Sequence, residues 1–418
     1  MITFSKYRKI LLITAFTVTS IFLLTQCMQN KKEKTAQAPL VRFEAFAGSE
    51  TCAGCHRKIY ETHIHTAHYL TTRPAVQEFI KGSFDKGKNA YAYDSTFVIV
   101  MEKRDSGFYQ VGYFHGAERI AKRFDIVVGS GSKGQTFITR FGNRLYQLPV
   151  SYFTAANSWA NSPQFPRHPV VFNRGITSRC LECHSTFVTK FATNRDAQEE
   201  FNFNQIIYGV DCEKCHGPAA KHVEFQSQNP TETKAKYIIN PKNFSRQQML
   251  DLCALCHGGR LRKTKPSFQF QPGDTLSNFF DIDSSTVLPE NIDVHGNQFG
   301  LLRASKCFRM SGMTCVSCHN PHENERGKIA LFSERCMNCH NGQQAHMCKL
   351  TDSIGYAISK NCIDCHMPLQ ASHSITELLP GKQEPTAAMI RSHYIAIYPN
   401  ESKNFSSFNN PANSKKTN

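Results

Sequence analysis

The chain has 418 residues, 17 cysteines and a formal charge of +16, which is length enough for two or three compact units. A basic balance of this size commonly marks a nucleic-acid binder, but the N-terminus directs the chain out of the cytoplasm and so argues against that class. Cysteines in this number are not incidental packing residues.

The N-terminus, MITFSKYRKILLITAFTVTSIFLLTQC, sets Lys6, Arg8 and Lys9 ahead of an apolar run from Ile10 to Leu24. That is an export signal. Leu24-Thr25-Gln26-Cys27 resembles the lipobox of bacterial lipoproteins, although Gln26 replaces the usual small residue, and it implies a lipid on Cys27 as membrane anchor. The alternative is an uncleaved anchor helix, since Ile10 to Cys27 comes close to spanning a bilayer. Residues 1–27 are read as the signal and 28–45 as a tether.

From residue 46 onward one pentapeptide recurs seven times: Cys52-Ala-Gly-Cys55-His56, Cys180-Leu-Glu-Cys183-His184, Cys212-Glu-Lys-Cys215-His216, Cys253-Ala-Leu-Cys256-His257, Cys315-Val-Ser-Cys318-His319, Cys336-Met-Asn-Cys339-His340 and Cys362-Ile-Asp-Cys365-His366. Zinc sites and redox CxxC pairs do not require the adjoining histidine, whereas CxxCH is the attachment sequence of c-type haem. The two thiols bond the porphyrin vinyl groups and the imidazole becomes the proximal iron ligand. The expectation is seven covalent haems c, whose propionates offset much of the positive charge.

The spacing divides the chain into a first haem segment over 46–90, a β-rich insertion over 91–160 and a six-haem domain over 161–400. In the insertion, Thr96–Arg104 and Phe108–Phe114 flank Asp105-Ser106-Gly107, and Arg119–Val128, Gln135–Phe141 and Leu145–Phe153 continue the pattern, with Gly142-Asn143 as a hairpin turn. GSGSKGQT from Gly129 lacks the lysine of a phosphate-binding loop, Gln135 standing in its place, and is read as a turn. Six haems between Cys180 and His366 leave too little chain for a side-chain core around each. The expected fold is therefore mainly α and irregular, with cofactors forming the core and a small antiparallel β insertion between the first and second motifs. Residues 401–418 read as disordered.

Seven of the 18 histidines close the motifs, leaving His63, His65, His68, His115, His168, His222, His295, His322, His346, His373 and His393. That supply suffices for a second imidazole on every iron. His115 reads as a strand residue, and His63 and His65 crowd His68. Proline in CHGP and CHNP turns the chain off its helix, aiming the following histidine at a different iron. Met367 is read as a packing residue.

CAGCHRKIYETHIHTAHYL resembles the first segment of multihaem cytochromes of the c-552/c-554 type, which implies His68 as a distal ligand. VDCEKCHGPAAKHV is similar to a segment of hydroxylamine-oxidoreductase-like and octahaem reductase cytochromes, which implies His222. SKCFRMSGMTCVSCHNPH, RCMNCH, HMC and NCIDCHMP, between Ser305 and Pro368, resemble exported multihaem cytochromes that often carry tetratricopeptide repeats, though no repeat array follows. That likeness implies His322 and His295, with His346 or His373 and His393 as further candidates. Of the cysteines outside the motifs, Cys27 is the lipid site, while Cys307 and Cys348 form either a disulfide, permitted outside the cytoplasm, or two buried thiols.

These readings imply electron transfer between a membrane-side donor and an extracytoplasmic acceptor, with redox proteins as partners (a quinol-linked donor or a terminal reductase) and residence in the periplasm or at the outer membrane. The β insertion would suit docking of such a partner. The alternative is an oxidoreductase that takes a small nitrogen or sulfur compound at one open haem, with Arg174, Arg179 or Tyr208 nearby. No motif ends in lysine as in the pentahaem nitrite reductases, which weighs against it.

Overall fold

The computed structural model describes residues 41–194, 197–282, 288–340, 348, 350–351 and 356–408; the signal, Cys27, most of the tether and His346 lie outside them. After the helix Ser49–His63, the chain runs through β1 (Thr72–Pro74), β2 (Ala90–Ala92), β3 (Phe97–Arg104), β4 (Gly107–Phe114), β5 (Ala117–Arg123), β6 (Ile126–Val128), β7 (Gly134–Phe141), β8 (Arg144–Gln147), β9 (Val150–Phe153), β10 (Ser158–Asn161) and β11 (Arg174–Gly175). β2 to β5 form a four-stranded antiparallel sheet. β1, β6, β7, β8 and β11 follow one another across a second, to which β9 and β10 attach through β7.

The hairpins follow turn chemistry. Phe114 pairs with Ala117, and the two residues between, His115 and Gly116, both have positive φ, at 49° and 76°. That is the pattern of a two-residue hairpin whose twist suits its strands. Gly142-Asn143 joins β7 to β8, with Phe141 opposite Arg144. His115 thus belongs to a turn remote from the motifs. Gln135 is buried; its Oε1 accepts from Lys81 N at 2.8 Å and its Nε2 donates to Phe79 O at 2.7 Å. In the glycine-rich turn, Gly129 O accepts from Gln135 Nε2 at 3.2 Å and Gly131 O from Thr154 Oγ1 at 2.7 Å.

Between the two sheets lies an apolar core around Trp159, with Phe124 and Phe137 stacked at 4.2 Å and Ile99, Met101, Leu148 and Val150 around them. Trp159 is 1% exposed and its indole donates to Ser83 O at 2.8 Å. Gly82 is needed beneath it, because a Cβ there would meet Trp159 Cζ2 at 2.2 Å.

The expectation of a mainly α and irregular fold is corrected. Beyond the insertion, β12 (Ser185–Lys190) pairs with β13 (Phe201–Tyr208), β14 (Arg262–Lys263) with β15 (Phe280–Asp281), and β16 (Leu369–Glu377) with β17 (Thr386–Arg391), all antiparallel. The haem-bearing region thus has sheets of its own. The physical reason is that segments flanking the motifs pair with each other, β12 beginning at Ser185 directly after His184 and β16 at Leu369 shortly after His366. Leu181, on the second motif's helix, packs with Val188 of β12, Phe201 of β13 and Ile126, Ile138 and Leu145 of the large sheet. Part of the stretch expected to lack order is also structured, since Pro399–Phe408 is a helix.

Candidate haem centres

Four motifs end a helix at their histidine: Ser178–His184, Cys212–His216, Arg246–His257 and Ile363–His366. The first lies on Ser49–His63, where the backbone leaves helical geometry at His56. Motifs five and six keep one helical turn, with the amides of His319 and His340 each donating to the first cysteine's carbonyl at 3.0 Å. Cysteines three apart and a histidine four after the first share one helix face, as attachment to a single porphyrin requires.

Local sequence holds these helices in place. Ser245 and Gln248 form a reciprocal capping box at the start of Arg246–His257, which satisfies two free amides. Its apolar side, with Ala254 and Leu255, packs on Phe270, Leu276, Phe279 and Phe280. Asp211 caps the third motif's helix by accepting from Cys212 N at 2.8 Å.

The histidines have a doubled character. His68, His257, His295 and His319 present exposed surface, yet protein surrounds them closely enough that burial lowers their pKa values, that of His68 to about 4. His184 and His393 are also lowered to about 4, first by burial and then by a neighbouring histidine, His295 and His319 respectively. A neutral imidazole is the form that ligates a metal.

Distances between rings test whether iron fits. A metal–imidazole bond of about 2.0–2.1 Å, plus roughly 1.2 Å from nitrogen to ring centre, sets two imidazoles across one metal about 6.4–6.6 Å apart between centroids. The rings of His68 and His257 lie 6.2 Å apart, those of His216 and His322 6.1 Å, and those of His319 and His393 6.1 Å. These separations are slightly shorter than that spacing and close to it, and they also lie within the range of ring–ring contact. The other nitrogen of several rings is already engaged. Nδ1 of His216 donates to Ile239 O at 2.9 Å, that of His366 to Ala396 O at 2.8 Å, and that of His257 to Gln298 Oε1 at 3.1 Å. Each bond fixes the tautomer that leaves Nε2 free for a metal. The residues fit haem.

His68, His295 and His322 therefore stand opposite or beside proximal histidines. His222 faces none in the ring pairs above, but its Nδ1 donates to Lys236 O at 2.8 Å, the same presentation as His216. His393 emerges as the partner of His319. Its weak sequence signal was a lone histidine beyond the last motif. The backbone amide of His373 donates to Asp293 at 3.1 Å. Cys307 is half-buried and Cys348 exposed, and they stand as separate thiols in the structure. Sequence reasoning missed His63, which is buried with its ring nitrogen 3.3 Å from Asp211 Oδ1. His63, Asp211 and Cys212 cluster tightly enough to hold a metal ion, but Cys212 belongs to the third motif.

Repeated CxxCH turns, three of whose histidines face a second imidazole, are residues that would hold c-type haem. Residues 154–217 match the family model described as cytochrome c554 and c-prime. A multiheme cytochrome, MtrA of Shewanella baltica (strain OS185), is 25% identical over 177 residues, 38% of this chain. The chain spans about half the length of that curated relative. The crystal structure of the outer cell wall cytochrome OcwA shares the fold with a TM-score of 0.53 at 15% identity, over 86% of this chain and 81% of that one. The chain is a multihaem c-type cytochrome that binds haem c. Among the described residues no helix is long and apolar enough to cross a membrane.

Proposed function

We propose that the chain holds seven haems c and serves as an extracytoplasmic electron carrier between a membrane-side donor and a second redox protein. The observation that carries this reading is the imidazole pairing at 6.1–6.2 Å, because an iron with a histidine on each side has no vacancy for a substrate. Each pair of thiols anchors one porphyrin edge, and the proximal imidazoles of His216, His257 and His366 are oriented from behind by their Nδ1 acceptors. His68 serves the fourth motif, His322 the third, His393 the fifth and His295 the second, so each distal ligand comes from another segment. His222 is assigned to one of the remaining motifs. Bound haem supplies a one-electron Fe(III)/Fe(II) couple. Cys27 carries the lipid that keeps the chain at its membrane, and Cys27→Ser should abolish lipid labelling.

Intact mass and pyridine haemochrome assays should give seven haems per chain, and low-temperature EPR of the oxidised protein should be low-spin throughout. A near-stoichiometric high-spin signal that moves on adding nitrite, hydroxylamine or cyanide would favour an enzyme with an open haem.

A further inference from the structure

Directly after the fourth motif the chain reads Gly258-Gly259-Arg260-Leu261-Arg262-Lys263-Thr264-Lys265, with four cations and no acid between Arg260 and Lys265. All four are exposed. Like charges this close repel one another, so the run does not serve the stability of the fold. In the ribbon, Arg262 stands opposite Asp281 and Lys263 opposite Phe280. Asp281 takes the guanidinium of Arg262, one acid against four cations. Among the described residues, Arg260, Lys263 and Lys265 have no carboxylate partner: Lys263 Nζ donates to Ser267 Oγ at 3.4 Å, and Lys265 Nζ lies 4.6 Å from the centre of the Phe279 ring.

The ribbon is fixed to the helix of the fourth motif. Thr264 N donates to Phe279 O at 2.8 Å, and Gly259 N to Gly296 O at 2.8 Å. Phe279 and Phe280, with Leu261, pack in the same apolar cluster as Ala254, Leu255 and Cys256 of that helix. A molecule seated on the ribbon is therefore held beside the fourth motif. Next to Asp281, Ile282 is 38% exposed, which places an apolar spot beside the charges, as the centre and rim of a transient interface require.

We infer that this basic ribbon is a docking surface for a redox protein with an acidic face. The inference rests on the reading of the chain as an electron carrier. A carrier must meet its partner quickly and release it after the electron has passed, and exposed charges serve that need because they raise the association rate more than the affinity. An anionic lipid surface is the poorer fit, since membrane binding of this kind draws on a broad apolar face beneath the cations, and Ile282 offers a single side chain. In the encounter the reduced partner gives up one electron and one Fe(III) becomes Fe(II), with no bond made or broken.

The test uses the full-length holoprotein and, as donor, an acidic plant-type iron–sulfur ferredoxin, with reduction followed by stopped flow. Arg260→Glu/Lys263→Glu/Lys265→Glu should slow reduction about tenfold or more at low salt. The difference should close at about 1 M salt, where charges act within only about 3 Å. Photoreduced lumiflavin, too small to need the ribbon, should reduce all proteins at one rate. Arg260→Gln/Lys263→Gln/Lys265→Gln should fall between wild type and the reversed variant, so the result does not depend on the harsher substitution folding.

Equal ferredoxin rates in wild type and both variants overturn the docking surface. An unchanged rate with a lowered haem midpoint potential does so as well, because the cations then serve haem propionates. So does an unchanged rate with lost cosedimentation on phosphatidylglycerol vesicles, because the surface is then a membrane contact. Failure of the carrier reading looks different: nitrite or hydroxylamine would reoxidise the reduced holoprotein in wild type and variants alike.

Discussion

His319 and His393 face each other with ring centroids 6.1 Å apart and planes inclined by 29°, although two further haem motifs intervene between them in the chain. Nδ1 of His393 is buried with no hydrogen-bond partner among the described residues, and Ser305 Oγ donates to His393 O at 3.2 Å. The segment is tied down by its backbone while its ring remains free to bind. His393→Ala should leave the haem content unchanged and convert about one haem to a high-spin form that takes up cyanide or added imidazole. An EPR spectrum identical to wild type would remove His393 from the ligand set.

The Nδ1 of His257 donates to Gln298 Oε1 at 3.1 Å. Such a bond makes the imidazole a more basic ligand and favours Fe(III). Gln298→Leu should therefore raise the midpoint potential of the fourth motif's haem while leaving haem content and spin state alone. A potential that stays put or falls would show that the bond does not tune the iron.

Glu377, at the end of β16, is 3% exposed, and its Oε2 has no partner. Burial pushes its pKa up from 4.5 to about 8. The folded state thus prefers the protonated acid. The stability this group contributes is fully present below its unfolded pKa and is lost as pH rises through 8. Between pH 4.5 and 7 the loss is on the order of 3 kcal/mol. Glu377→Gln should flatten the pH profile of chemical denaturation over this range and stabilise the protein at pH 7. A variant as pH-dependent as wild type would contradict this account.

Gly82→Ala places a methyl group against the Trp159 ring, and overpacking of this kind typically costs about 1–3 kcal/mol. Because Trp159 is the only tryptophan, its fluorescence reports the β-rich core directly. A red-shifted emission and a lower melting temperature are expected, with haem content unchanged. Emission and melting both as in wild type would show that the ring relocates without penalty.

What could be read from the sequence is what the chain encodes locally. A CxxCH motif needs one turn of helix, so cysteines and proximal histidines stand together in five consecutive residues. The hairpins at Asp105-Ser106 and Gly142-Asn143 are local in the same sense. His393 was weakly legible because its relation to His319 exists only after Ser305 has gathered the C-terminal segment, with Ile395 N donating to Ser305 Oγ at 2.8 Å. The ribbons of the haem-bearing region were missed for a related reason. β14 and β15 are two residues each, and β16, LQASHSITE, is largely polar with an irregular register against β17. Pairing stabilises these strands, and no hydrophobic alternation announces them.

The crossing of ligands between segments also bears on how the molecule is made. Attachment of a haem needs only the five residues of its motif, whereas its second imidazole arrives from elsewhere: His68 travels from the first segment to His257, and His393 from the C-terminal end to His319. Contacts of such sequence separation form late, because long loops must close first. On the proposed ligand pairing, a chain that received its haems before folding would hold them with one face open, and folding would bring the second imidazole to each. The closed ligand sets become a record that the chain has folded.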